Sequence, residues 1–387
     1  MRAWYLTVAG VTAAAVAVAV NPSAAGAAAG QAWPAFVLVA GLLLVGLVAA
    51  SDGLFVAAGR VLGRACPTPA LLFAGLAALI VVVSAVLNLD TAVAFLTPIA
   101  VSAGRSQGEE GQAPISGALL PACILLANAG SLVLPGSNLT NLIVVAHSKV
   151  SANEFVLRMA LPWVAASVIT TAVIAIASRR ALQAHRGDRE PAAEGVPPHH
   201  RRPQPLLGVG LVAIGAAVAV MLTVSSPSLL VAGIGLAAAA WRLRGKRLSL
   251  STVENVLNLP VLAGLMGLAV GVGTLGRLWS GPADLLFHLD PFAIAAVAAV
   301  STVLINNLPA ASLLSARAVT HPLSLLIGLD VGPNFFVSGS LAWVLWISSA
   351  RAAGERAGAR RAVKMGAVAA PLAIAVGVAA LMASGAS

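Results

Sequence analysis

The sequence predicts an all-α polytopic membrane protein of about ten spans, arranged as two structural repeats of inverted topology. Three observations carry that expectation. Of 387 residues, 59% are hydrophobic and 9% charged, with a mean hydropathy of +0.95. Soluble domains carry about 25% charged residues. Apolar runs near the length of a bilayer crossing recur along the whole chain. A charged, proline-rich stretch then divides the chain, and each half holds two polar interruptions in the same order.

The apolar runs lie near residues 4–20, 34–50, 69–87, 114–147, 159–178, 206–223, 228–241, 256–275, 287–304, 322–348 and 366–385. Long runs without strict alternation do not suit a barrel, so the backbone must be satisfied within helices. The first run follows Arg2 and precedes small residues, in the outline of a signal peptide. In a chain with this many runs it reads as a retained first span.

The net charge is +10. The basic residues flank spans, as topology signals do, and no nucleic-acid partner is expected. Arg179, Arg180, Arg186, Arg189, Arg201 and Arg202 crowd one loop. Arg242, Arg244, Lys246 and Arg247 crowd a second, and Arg351 to Lys364 form a third. All three are expected on the cytoplasmic side of a bacterial-type plasma membrane. Arg60 and Arg64 lie in SDGLFVAAGRVLGR, which suits an amphipathic helix lying in the interface. Asp52, at its start, suits a snorkelling residue or a cap of that helix.

Cys66 and Cys123 suggest neither a disulfide framework nor a metal site, and no cofactor is expected. A His-Glu metal motif, paired aspartates on adjacent spans and a Gly-x-Ser-x-Gly with a His are all missing, which argues against an intramembrane enzyme. Residues 181–205, ALQAHRGDREPAAEGVPPHHRRPQP, suit a solvated cytoplasmic linker between a first half, 1–180, and a second, 206–387. His185, His199 and His200 there read as solvated loop residues.

The first interruption is SAVLNLDTAVAFLTPIAV, residues 84–101, answered by STVLINNLPAASLLSARAV, residues 301–319. Laid end to end, Asp90 meets Asn307. The second is ANAGSLVLPGSNLTNLIVV, residues 127–145, answered by GLDVGPNFFVSGSLAWVLW, residues 328–346. There Gly136-Ser137 meets Gly339-Ser340. Asn, Asp, Gly, Pro and Ser are poor helix formers. At membrane depth they predict helices that stop, unwind and restart, which is tolerated only inside protein or along a wet cavity. Paired discontinuous helices in two halves point to a transporter's midplane site.

A charge at that depth costs roughly 2.5–3.5 kcal/mol on insertion scales, and such residues line pathways or relay protons. Asp90 is therefore a candidate proton or ion site, with capping of a re-entrant helix as the alternative. Asn88, Thr91, Asn128, Ser137, Asn138, Asn141, Asn306, Asn307, Asn334 and Ser340 supply the amides and hydroxyls of a site for a small polar solute. The alternative for a single asparagine is interhelical hydrogen bonding. Asn306-Asn307 is the stronger signal, because Pro309 removes a further backbone bond. Asp330, beside Gly332-Pro333, reads equally as a residue of a loop turn. Arg317 reads equally as a buried partner or an interface residue.

At these residues the chain resembles the arsenite/antimonite permeases, a family of the ion transporter superfamily. The stretches that carry the resemblance are LVAASDGLFVAAGRVLGR, SAVLNLDTAVAFLTPI, LANAGSLVLPGSNLTNLIVV, NLPVLAGLMGLAVGVGTL, VLINNLPA, and Gly-Pro-Asn followed by Gly-Ser-Leu-Ala-x-x-Leu-Trp over 332–346. The first-half motifs are shared with dicarboxylate and sodium/proton relatives.

The resemblance implies a re-entrant hairpin and an unwound helix in each repeat: hairpins at 86–104 and 303–319, unwound helices at 114–147 and 322–348. It implies export of arsenite or antimonite, driven by inward proton movement or by a partner ATPase on the cytoplasmic loops, and it allows a homodimer in the bilayer. Carried over, Asp90 takes the family's acidic position in the first hairpin. Ser137, Asn138 and Asn141 take the first unwound helix, Asn306 and Asn307 the second hairpin tip, and Ser340 the second unwound helix. The chain departs from the pattern twice. Leu89 precedes Asp90 where the family reads Asn-Asp, and Asn128 stands where a carboxylate is expected. One protonatable group fewer keeps a sodium-coupled carboxylate or sodium/proton carrier as the alternative.

Overall fold

The computed structural model describes residues 3–106, 115–146, 150–183, 208–224 and 226–385. Most of the expected linker lies outside the described residues. With it go His185, His199, His200 and four of the arginines assigned to the first basic loop.

The described residues form helices joined by short turns, with no strand among them. The chain begins with α1 (Ala3–Val20) and α2 (Pro22–Ser51), parted at Asn21. The Asn21 side chain accepts the Ala24 N–H and Pro22 stands first in the helix, the preferred chemistry of a helix start. Gly53, at φ +79°, turns the chain into α3 (Leu54–Ala65). Then come α4 (Pro69–Val86), α5 (Leu89–Ser106), α6 (Ser116–Gly130), α7 (Leu139–Val145), α8 (Ala152–Ala177) and α9 (Arg179–Leu182). The second half holds α10 (Val209–Thr223), α11 (Ser228–Arg244), α12 (Leu250–Leu257), α13 (Leu259–Leu278), α14 (Gly281–Phe287), α15 (Pro291–Ile305), α16 (Asn307–Leu314), α17 (Pro322–Val331), α18 (Ala342–Ala352) and α19 (Ala359–Ala383). Among the described residues, five stretches are long and apolar enough to cross a membrane unbroken: α2, α4, α8, the joined α12–α13, and α19.

Side-chain contacts fix which ends of the helices lie together. Asp52, after α2, pairs with Arg242 at the end of α11 and accepts the Gly210 N–H at the start of α10. Arg105, ending α5, donates to the Gly354 carbonyl after α18 (2.8 Å). Arg361, starting α19, donates to the Ser178 hydroxyl after α8 (3.3 Å). These ends make one face of the molecule. Gln31, near the start of α2, donates to the carbonyls of Ile143 in α7 (2.8 Å) and Ser315 after α16 (3.2 Å), and accepts from Arg277 at the end of α13 (2.6 Å). These make the opposite face. The hairpin α4–α5 therefore opens to the first face and α15–α16 to the second, which inverts the halves. Counting each broken helix once, α1, α2, α6–α7, α8, α10, α11, α13, α17–α18 and α19 run from face to face among the described residues.

Small residues let the helices touch. A Cβ on Gly264 would meet Leu6 and Thr7, one on Gly267 would meet Gly10, and one on Gly271 would meet Ala13. The pattern holds α13 parallel to α1 at backbone contact, the usual device where lipid offers no hydrophobic drive.

α3 buries only Phe55, α12 buries nothing, and Arg60 and Arg64 are exposed. Both helices suit a place along the edge of the first face. Asp52 neither snorkels nor caps α3, contrary to the expectation above. Its partner Arg242 belongs to α11 and is not a loop residue, because the pair satisfies two charges that would otherwise be buried alone. Arg317 serves as a cap, its guanidinium donating to the last carbonyls of α13, Gly276 (3.3 Å) and Arg277 (2.7 Å).

Candidate functional site

Each half brings one hairpin tip and one broken helix to the interior. At the first tip α4 stops at Val86 and α5 restarts at Leu89. The Asn88 side chain accepts the Thr91 N–H (2.6 Å) and so caps α5. Capping was one reading of Asp90, and Asn88 takes that role instead. Asp90 stands in the first turn, partly exposed, with no side-chain bond among the described residues. Thr91 is fully buried against α2, where a Cβ on Gly46 would strike it. At the second tip α15 stops at Ile305 and α16 restarts at Asn307. Asn306 holds the turn at φ +72°, its amide donating to the Ser338 carbonyl (3.1 Å) and its Oδ1 facing the Leu308 N–H (3.4 Å).

The pairing of tips differs by one residue from the end-to-end alignment. The caps match Asn88 with Asn306, so Asp90 does not answer Asn307. One residue turns a helix by about 100°, so the two side chains take different faces of their helices.

In the first broken helix α6 ends at Gly130, a short 3₁₀ turn covers Pro135–Ser137, and Asn138 is extended (φ −145°) before α7. The Ser137 hydroxyl donates to the Leu134 carbonyl (2.6 Å) and lies against that of Ser131. The Asn141 amide donates to both carbonyls, of Ser131 (2.9 Å) and Leu134 (3.1 Å). Thus Ser137 and Asn141 spend their donors on the unwound backbone itself, as buried carbonyls require. In the second, α17 ends at Val331, 3₁₀ turns cover Gly332–Phe335 and Val337–Gly339, and Ser340 is extended (φ −150°) before α18. Ser340 is buried, with its hydroxyl unpartnered.

The two breaks are tied across the halves. The Asn128 amide donates to Asn334 Oδ1 (2.8 Å), and the Asn334 amide donates to the Leu125 carbonyl (3.0 Å). The Asn138 amide donates to Asp330 Oδ1 (2.9 Å), and the Thr140 hydroxyl donates to the same oxygen. Asn128, Thr140, Asn141, Asp330 and Asn334 are all fully buried. Asp330 is thus a central residue and, of the two readings open to it, not a residue of a loop turn. The extended residues match Asn138 with Ser340, one residue away from the end-to-end pairing of Ser137 with Ser340, and ten residues upstream of each stand Asn128 and Asp330. The carboxylate absent at Asn128 is present at the equivalent place in the other half. Its signal was an acid inside an apolar run, the same one that singled out Asp90.

Residues 3–350 match the citrate transporter family, CitMHS. The chain belongs to that family. No curated protein matches it. Among solved structures it is similar to the YdaH transporter of Alcanivorax borkumensis, whose crystal structure reveals an unusual topology. The likeness has 16% identity and a TM-score of 0.55, covering 93% of this chain and 86% of that one. At that identity it speaks for the fold: an all-helical, polytopic membrane protein. The family makes the chain a multi-pass secondary transporter of the ion transporter superfamily and not an enzyme. The match is to citrate transporters and not to the arsenite/antimonite permeases specifically.

Proposed function

We propose that the chain exports arsenite, antimonite or a similar small solute in exchange for protons, at a site between the two tips and the two breaks. The observation that carries this reading is the lining. In this reading it consists of neutral amides and hydroxyls from Asn88, Asn128, Asn138, Asn306, Asn307 and Ser340 with two carboxylates, Asp90 at the first tip and Asp330 at the breaks, and no Lys or Arg among them. Such a lining suits a solute that is uncharged at neutral pH, which amides and hydroxyls hold without a fixed cation. Helix restarts at both tips and both breaks add N–H groups. Asp90, without a partner among the described residues and partly exposed, is the proton carrier in this scheme.

A second reading is a sodium-coupled carboxylate carrier, favoured by the family to which the chain belongs. Uptake into everted vesicles separates the two. Radiolabelled arsenite or citrate is offered under an imposed pH gradient or sodium gradient, in wild type and Asp90→Asn. Gradient-dependent arsenite uptake that Asp90→Asn abolishes supports the first reading. Citrate uptake that requires sodium replaces it with the second.

A further inference from the structure

We infer that Asp330 is a monovalent-cation site that couples cation loading to the join between the two halves. The inference rests on the transporter reading in one respect, that the halves move against each other.

The first step is charge balance. Asp330 is fully buried, and its bonding partners are neutral: the Asn138 amide and the Thr140 hydroxyl, both on Oδ1. Oδ2 has no partner. The helices packed on α17 are α6, α7, α8, α15, α16 and α19. Four of them, α6, α7, α15 and α16, contain no charged residue. In α8, Glu154 and Arg158 pair with each other (2.6 Å), and in α19 the exposed Arg360, Arg361 and Lys364 occupy the first two turns. No protein cation therefore balances Asp330 among the described residues. A lone buried carboxylate is too costly to persist unless a proton sits on it or a metal cation lies against it. Either relief binds one monovalent cation at Oδ2.

The second step is the surroundings. Asn128 Oδ1 and Asn141 Oδ1 are also buried without a partner. Both residues share Ser131 with Asn138: Asn141 and Asn138 donate to it, and its hydroxyl donates to the Asn128 carbonyl. Bare oxygens on the same hydrogen-bonded break as the partner of a carboxylate suit a hard cation or the O–H of a protonated acid equally. The third step is position. Asp330 belongs to the second half, and both its donors belong to the break of the first. A cation on Oδ2 draws charge from Oδ1 and loosens its hold on Asn138 and Thr140, so loading and the join between halves are linked.

The test uses purified full-length protein and no transported solute, so its outcome is independent of which solute is carried. Thermal stability is followed in sodium chloride against choline chloride, and across a neutral-to-acid pH series. Each series is repeated in the Asp90→Asn background, which removes the titration of Asp90. The expected result is a rise of several degrees on loading, lost in Asp330→Asn and restored in Asn128→Asp/Asp330→Asn, which moves the acid to the equivalent place. A response to sodium at fixed pH identifies a sodium site, and a response to acid alone identifies a proton site. A response that survives Asp330→Asn, or no response in wild type, overturns the inference. Should Asp330→Asn not fold, Asp330→Glu must shift the midpoint of the response, and an unchanged midpoint overturns it equally.

Discussion

Asp52 and Asp330 are both acids inside a membrane protein, and their surroundings differ in one decisive respect. Asp52 lies at the first face with its own counter-cation, Arg242, and a backbone N–H from Gly210. The side chains of the pair are 7% and 10% exposed. Asp330 lies between the halves with two neutral donors and, among the described residues, no counter-cation. A carboxylate with its cation built into the chain can only hold helices together, here α2, α10 and α11. A carboxylate without one must take its charge partner from outside. The difference separates a structural acid from a functional one more sharply than burial does, since both are buried.

The largest effect belongs to the structural pair. Arg242→Leu leaves Asp52 charged and alone, and is expected to cost about 3–5 kcal/mol of stability. Adding Asp52→Leu removes the stranded charge and is expected to recover all but about 1 kcal/mol, the share of the Gly210 N–H. Thermal unfolding of the three proteins measures this; Arg242→Leu is expected to gain a response to acid as Asp52 takes up a proton, and the double variant is expected to lose it. A double variant no better than Arg242→Leu alone would mean that the charges act separately and that Asp52 is no internal pair.

Next come the two ties across the halves. Asn138 donates to a carboxylate and Asn334 exchanges bonds with neutral groups. Bonds to charged groups contribute about 1.5–3 kcal/mol and neutral ones about 1 kcal/mol. Asn138→Ala is therefore expected to lower stability by about twice as much as Asn334→Ala. The gap is expected to close in the Asp330→Asn background, where neither bond meets a charge. Equal costs in the wild-type background would contradict the distinction between the two breaks.

Much of the fold was legible because it is written in composition and order. Run lengths announced membrane helices, and the repeated sequence of polar interruptions announced two repeated halves. What escaped was register and partnership. The tips align through their caps, Asn88 and Asn306, a property of backbone hydrogen bonding that similar letters do not report. Arg242 looked like a loop residue because basic residues usually mark loops, and only the approach of α11 to α2 gives it Asp52. Asp330 looked like a turn residue because Gly332-Pro333 follows it. The chain unwinds at that pair, and Asp330 occupies the last helical turn before it, facing the other half.

The smallest effects sharpen the comparison of the tips. Both asparagines cap a restarting helix, yet Asn306 does so at φ +72° and Asn88 is not among the residues of positive φ. Positive φ is natural for glycine and strained for a residue with a Cβ. Losing an asparagine cap to alanine costs about 1 kcal/mol, and to glycine only a few tenths. At Asn88, alanine and glycine should therefore differ by the capping term alone. At Asn306 alanine adds backbone strain, so glycine should be better than alanine by roughly 1 kcal/mol more than it is at Asn88. Four single variants and their thermal midpoints decide it. An equal glycine preference at both tips would mean that the second turn carries no more strain than the first, and that the two hairpins differ only in their side chains.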